Sequence, residues 1–129
     1  MADIPTVLVL DDDPGVRSTM ERLLQVYGYG AVTAGTLDEA RLLLQTTSIE
    51  ALILDVGLQG NDNGLDLLHT IRERREFDKA PVLILTGATL SASEEALITK
   101  NRGFLFYKPE GFDTLVRFLD VLTGRDRPD

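Results

Sequence analysis

The chain alternates short unbroken apolar runs with segments whose apolar residues recur every three or four positions. Thr6-Val7-Leu8-Val9-Leu10 is continuous and rich in β-branched residues, the pattern of a strand covered on both faces. Asp13-Pro14 then supplies an N-cap with proline at the first helical position. Val16, Met20, Leu23, Leu24 and Tyr27 follow at helical spacing, and Gly28 ends the segment. Ala31-Val32-Thr33 predicts a weak second strand, and Thr36-Leu37-Asp38-Glu39 a capping box whose helix continues through Ala40, Leu43 and Leu44. Ala51-Leu52-Ile53-Leu54 is a third buried strand ending on Asp55, and the Gly- and Asn-rich stretch from Gly57 to Gly64 reads as a loop. Leu65, Leu68 and Ile71 open a third helix that runs out in Arg72-Glu73-Arg74-Arg75-Glu76. Pro81-Val82-Leu83-Ile84-Leu85 is a fourth strand ending on Thr86, and Ser91-Ala92-Ser93-Glu94 caps a fourth helix through Leu97 and Ile98. Phe104-Leu105-Phe106-Tyr107 is a fifth strand ending on Lys108-Pro109. Leu115, Val116, Phe118, Leu119 and Leu122 stripe a last helix, and a polar tail follows from Gly124.

Five strand-helix repeats with continuous apolar strands predict an α/β fold, a doubly wound parallel sheet covered on both faces, with right-handed crossovers. The 129 residues are expected to form one domain, residues 1–129, with a core over about 5–123 and a tail over 124–129. Apolar residues at 43% and charged residues at 26% are a globular balance and argue against a disordered chain. No apolar stretch approaches the roughly 20 residues of a membrane-spanning helix. Met1-Ala2-Asp3-Ile4-Pro5 lacks the basic and apolar regions of a signal peptide, so a cytoplasmic location is expected. With no cysteine there is no disulfide, thiolate metal site or cysteine nucleophile. Thirteen Lys and Arg against 21 Asp and Glu give a net charge of -8, which disfavours nucleic acid and anionic membranes as direct partners.

In an open parallel sheet, function gathers beyond the carboxyl ends of the strands. Four of those ends are polar: Asp11-Asp12-Asp13, Asp55, Thr86 and Lys108. Asp13, before Pro14, is assigned to capping. The remaining carboxylates would repel one another at one rim, and a hard divalent cation resolves the conflict. A phosphoryl group would there meet a metal, the Lys108 ammonium and the Thr86 hydroxyl, which is what phosphoryl transfer requires. A carboxylate is itself a competent nucleophile.

With these residues in order at the ends of these strands, the chain resembles the receiver domain of two-component response regulators, in particular the chemotaxis-type single receiver. The resemblance covers essentially the whole chain. It implies a flavodoxin-like (βα)5 fold with strand order 2-1-3-4-5. It implies that Asp55 accepts a phosphoryl group from a histidine kinase or histidine phosphotransfer protein. Asp11, Asp12, Asp55 and the backbone carbonyl of Gly57 would hold Mg²⁺, or Mn²⁺. Lys108 would pair with the phosphoryl group through a cis Lys108-Pro109 turn, and Thr86 would move to bond it. The implied module phosphorylates and dephosphorylates itself but is not an enzyme on an external substrate. It would signal to a downstream protein target as a monomer or weak dimer; the length holds no output domain, which is expected of a receiver that acts through partners or of a piece of a hybrid kinase or larger regulator.

The chain departs from that pattern in three places. Gln59 stands where the family usually has proline, and Gly60-Asn61-Asp62-Asn63-Gly64 is about one residue longer than usual. Leu105 occupies the usual aromatic switch position, with Tyr107 on the same strand face. Gly57 and Ala88, two past Asp55 and Thr86, have no side chain to hold an attacking water, so dephosphorylation is expected to follow solvent access and partners. Two other readings stand beside the switch. One is a pseudo-receiver that docks partners without turning over phosphate. The other is a haloacid dehalogenase-type phosphatase with Asp11 as nucleophile, whose late acidic pair is replaced here by Lys108-Pro109. His69 reads as a surface residue, the Arg72–Glu76 run as a solvated face, and Phe104, Phe106 and Tyr107 as mostly core.

Overall fold

The computed structural model describes residues 4–57, 63–87, 89–107 and 112–124. Its strands are β1 (Thr6–Leu10), β2 (Gly30–Ala34), β3 (Ala51–Asp55), β4 (Val82–Thr86) and β5 (Phe104–Tyr107). They form one parallel sheet in the order β2-β1-β3-β4-β5. The helices are α1 (Pro14–Val26), α2 (Leu37–Thr46), α3 (Gly64–Glu73), α4 (Ala92–Lys100) and α5 (Phe112–Leu122). The fold is thus flavodoxin-like, as the resemblance implied.

Alternation along each strand sorts the core into two layers. Leu8, Leu10, Leu52, Leu54, Val82 and Ile84 pack with Leu37, Ala40, Leu44, Leu65, Leu68, Ile71 and Ile98 of α2, α3 and α4. Val7, Val9, Ala51, Ile53, Leu83 and Leu85 pack with Met20, Leu24, Leu115, Val116 and Leu119 of α1 and α5. Every residue of β3 and β4 is buried, which explains their unbroken apolar runs. Each large side chain so buried contributes roughly 1.5–3 kcal/mol. β2 is longer than its weak pattern suggested. Its register with β1 runs from Thr6↔Gly30 to Leu10↔Ala34, so pairing rather than propensity sets its length.

The helix ends largely follow the sequence signals. The Asp13 carboxylate accepts from the Gly15 N–H (2.8 Å) and the Val16 N–H (3.3 Å). Gly28, at φ +89°, closes α1 in a Schellman turn, its N–H donating to Gln25 O (3.0 Å) and the Tyr29 N–H to Leu24 O (2.9 Å). Ser91 forms a complete capping box, with Glu94 N–H to Ser91 Oγ at 3.1 Å and Ser91 N–H to Glu94 Oε1 at 2.9 Å. Thr36 forms half of one: it accepts from the Glu39 N–H, while Glu39 Oε1 accepts from the Gly35 amide (3.1 Å) instead of the Thr36 amide.

Three expectations change. Arg72 is not on a solvated face. Its Nε donates to Asn101 O (2.8 Å) and its Nη1 to Phe77 O and Ala80 O (both 2.8 Å), with longer contacts to Asp78 O (3.3 Å) and, from Nη2, Arg102 O (3.5 Å). The carbonyls reach it because α3 is followed by a 3₁₀ turn, Arg75–Phe77, that buries Phe77 and that no pattern announced. Second, Phe104 and Tyr107 are 39% and 40% exposed, because β5 is an edge strand. Third, Gly64 is the first residue of α3, not the end of a loop. Among the described residues no helix is long and apolar enough to cross a membrane.

Candidate functional site

At the carboxyl rim the Asp11 N–H donates to Ala34 O (3.0 Å), extending the β1–β2 pairing one residue beyond the strand. This holds Asp11 at 1% exposure, its Oδ1 accepting from the Asp13 N–H (2.9 Å). Asp12, next along the chain, is half-buried, and Asp13 is exposed and spent on its cap.

Asp55 ends β3 and is likewise 1% exposed. The Val56 N–H donates to Leu85 O (3.0 Å), fixing the backbone beyond it. The Gly57 N–H donates to Asp55 Oδ1 (3.2 Å), an Asx-type turn that orients the carboxylate. From the other side, α3 presses its first residue against the same backbone. A Cβ on Gly64 would lie 2.2 Å from Asp55 O, so only glycine allows α3 to start there. The Gly57 turn and the start of α3 thus both bear on Asp55.

These placements bring one carboxylate oxygen each from Asp11, Asp12 and Asp55 to within 4.8 Å of one another. Three formal negative charges this close oppose one another. All three donors are hard oxygens, suited to Mg²⁺, Mn²⁺ or Ca²⁺ and not to a soft metal. Gly57 stands beside them, exposed, and a Cβ there would meet nothing within 4 Å. That leaves open space next to Asp55.

Thr86 ends β4 on the strand adjacent to Asp55 and is 3% exposed. By strand parity it belongs with Val82 and Ile84, facing the α3 and α4 layer, while Asp11 and Asp55 belong with Val9 and Ile53, facing the α1 and α5 layer. Tyr107 is the register partner of Thr86, and Leu105 that of Ile84. Leu105 packs in the apolar cluster that holds Ile98, so it serves as core filling. Lys108, with the Lys108-Pro109 bond, lies outside the described residues, as do Ala88, Gln59 and the rest of 58–62.

Sequence reading missed Arg17. Its Nη1 donates to the Asp11 carbonyl (2.7 Å), and a Cβ on Gly35 would sit 2.7 Å from that nitrogen. The guanidinium therefore clamps the turn that carries the acidic pair. A signal was present: a cation near the amino end of a helix opposes the helix dipole, which marks it as held there by something specific. His69 is exposed and bonds Glu73 Oε1 (2.8 Å), away from this rim.

Residues 7–120 match the family model of the response regulator receiver domain. The chain belongs to that family. This receiver is 35% identical over 92 residues to the transcriptional regulatory protein AruR of Pseudomonas aeruginosa, covering 67% of this chain and 36% of AruR. It is 31% identical over 120 residues to the nitrogen assimilation regulatory protein NtrX of Azorhizobium caulinodans, covering 92% of this chain and 25% of NtrX. The receiver thus spans about a third or less of these curated relatives. Among solved structures it is similar to the chemotaxis protein CheY4 of Vibrio cholerae, with a TM-score of 0.82, 25% identity and coverage of 93% of this chain and 99% of that one. It is also similar to a response regulator of Burkholderia pseudomallei solved with a phosphorylated aspartic acid, a calcium ion and citrate. That match has a TM-score of 0.76, 29% identity and coverage of 88% of this chain and 65% of the other. The chain is therefore a receiver domain of two-component systems, a class of generally non-enzymatic signalling modules.

Proposed function

We propose that the receiver takes a phosphoryl group onto Asp55 from the phosphohistidine of a histidine kinase or histidine phosphotransfer protein, and that this switches a surface read by a downstream protein. The observation that carries the reading is the meeting of Asp11, Asp12 and Asp55 within 4.8 Å at the carboxyl rim. The Burkholderia pseudomallei structure, with its phosphorylated aspartate and calcium ion, supports it by likeness.

In this reading an Asp55 carboxylate oxygen attacks the phosphorus. The new O–P bond forms as the N–P bond breaks, and its electron pair leaves on the donor imidazole, which takes up a proton. The Gly57 N–H, already on Asp55 Oδ1, holds the carboxylate in one orientation. Asp11, Asp12, Asp55 and the Gly57 carbonyl would hold the divalent cation, Mg²⁺ or Mn²⁺. When bound, the cation supplies charge neutralisation for the carboxylates and for the incoming phosphoryl oxygens. Thr86 would donate its hydroxyl to the product, and Lys108 would supply the balancing ammonium. With open space at Gly57, the acyl phosphate decays at a rate set by water access and by bound partners. Residues 1–129 then act as one receiver, monomeric or weakly dimeric, in the cytoplasm.

The test is Mg²⁺ with acetyl phosphate or beryllofluoride, followed by peptide mass and fluorescence. The expected outcome is a Mg²⁺-dependent adduct on Asp55 that is absent from Asp55→Asn. An adduct on Asp11 would instead indicate a phosphatase-type nucleophile, and no response in the wild-type protein would indicate a docking module.

A further inference from the structure

The Arg72 contacts lie at the rim opposite the carboxylates, and they bear on how α4 is held. The two ends of α4 are anchored very differently. Toward its C-terminus, Ile98 is buried and Leu97 partly so. Toward its N-terminus, Leu90 is buried just before the cap, but Ala92, Ser93, Glu95 and Ala96 of the helix itself are all exposed, and the capping box of Ser91 and Glu94 bonds the helix only to itself.

Beyond the last turn, α4 closes in a Schellman arrangement in which Arg102, not glycine, takes the left-handed position at φ +59°. The Arg102 N–H donates to Thr99 O (3.1 Å) and the Gly103 N–H to Ile98 O (2.9 Å). A side chain in that conformation is strained and persists only where the surroundings enforce it. Here they do. The Arg72 Nε holds Asn101 O (2.8 Å), the Arg102 guanidinium pairs with Asp78 (3.0 Å), and Arg72 also holds Phe77 O and Ala80 O from the segment entering β4. Packing agrees with this: a Cβ on Gly103 would come within 3.1 Å of Ile98 and 3.3 Å of Ile84.

We infer that Arg72 is a clasp that makes the C-terminal end of α4 a fixed pivot and leaves its N-terminal end as the moving end. That moving end follows directly after Thr86, across the short segment through Leu90. Displacement of Thr86 at the carboxylate rim therefore reaches α4 through Leu90, at the end that no clasp holds, and swings the helix about Asn101 to Gly103. The link to Thr86 rests on the phosphoacceptor reading, whereas the pivot itself does not.

Amide hydrogen exchange on the full chain tests both. In Mg²⁺ buffer without phosphoryl donor, the Asn101 and Gly103 amides are expected to exchange at least tenfold more slowly than those of Glu95 and Ala96, although helix ends ordinarily fray. Arg72→Ala removes that gradient, Arg72→Lys keeps part of it because an ammonium has fewer donors in a different geometry, and Arg75→Ala leaves it intact. Equal exchange at both ends in the wild-type protein, or an intact gradient in a folded Arg72→Ala variant, overturns the pivot. Adding beryllofluoride should change exchange at Glu95 and Ala96 but not at Asn101 or Gly103, and in Arg72→Ala the change should spread to both ends. A uniform change in the wild-type protein also overturns the pivot. No change anywhere, with the gradient present, overturns the phosphoacceptor reading and the link to Thr86 while upholding the pivot.

Discussion

The two rims of the sheet solve opposite electrostatic problems. At the carboxyl rim, one carboxylate oxygen each from Asp11, Asp12 and Asp55 lies within 4.8 Å of the others, a set of hard donors suited to a divalent cation. At the amino rim, one guanidinium is enclosed by backbone carbonyls of four segments, the end of α4, the 3₁₀ turn, the approach to β4 and the turn into β5. Burial, then the neighbouring Arg102 charge, draws the Arg72 guanidinium below its usual pKa, with Asp78 opposing them. The carbonyl oxygens keep it satisfied without an outside partner. A rim tied together by chain donors gives rigidity, and a rim that gathers hard donors suited to a cation gives responsiveness.

Substitutions can sharpen or break that contrast. The largest effect is expected from Arg72→Ala, which leaves several carbonyls without their donor and should lower stability by about 3 kcal/mol, given that a hydrogen bond to a charged group is worth roughly 1.5–3 kcal/mol. Denaturant unfolding measures it, and a change below about 1 kcal/mol would remove the basis for calling this rim self-completed. Next, Mg²⁺ at a hundred times its dissociation constant should raise stability by about 2.7 kcal/mol by mass action. The gain should vanish in Asp12→Asn yet persist in Arg72→Ala, as thermal melts with and without chelator would show. Gly64→Ala should cost about 2 kcal/mol, within the range of roughly 1–3 for overpacking. It should also weaken Mg²⁺ binding in a calorimetric titration, because Asp55 moves with its carbonyl. The smallest effect has the opposite sign. In chelator, Asp55→Asn should stabilise the fold by about 1 kcal/mol, since it removes one of three like charges. Destabilisation there would mean that the carboxyl rim is already balanced from within.

Much of this was legible in the residues, for identifiable reasons. β1, β3 and β4 are buried on both faces, so their apolar runs are unbroken, and Asp11, Asp55 and Thr86 stand out as the polar residues that end them. Other features depend on tertiary structure. Arg72 sits in a charged run whose period looks like a solvated face, and only the return of residues 77–80 and 101–102 gives it carbonyl partners and partial burial. Gly64 looks like one more loop glycine until α3 is seen against Asp55. Phe104 and Tyr107 have the composition of core, but an edge position leaves each partly open. Phe118 meets the Phe104 ring edge-on at 5.1 Å and the Phe106 ring at 5.3 Å. β2 is carried by pairing to β1 and not by its Gly-Ala-Val-Thr-Ala sequence.

The parity of the strands has a practical consequence. Asp11 and Asp55 fall on the side of α1 and α5, and Thr86 on the side of α3 and α4, all at one rim of the sheet. A mutational library confined to α1 and α5 would sample one flank of the proposed acceptor, and one confined to α3 and α4 the other flank, Gly64 against the Asp55 backbone included. For anyone building a sensor from this domain, changes made from the two sides of the sheet meet at that rim, and the start of α3 against Asp55 is where acceptor and helix layer are tuned together.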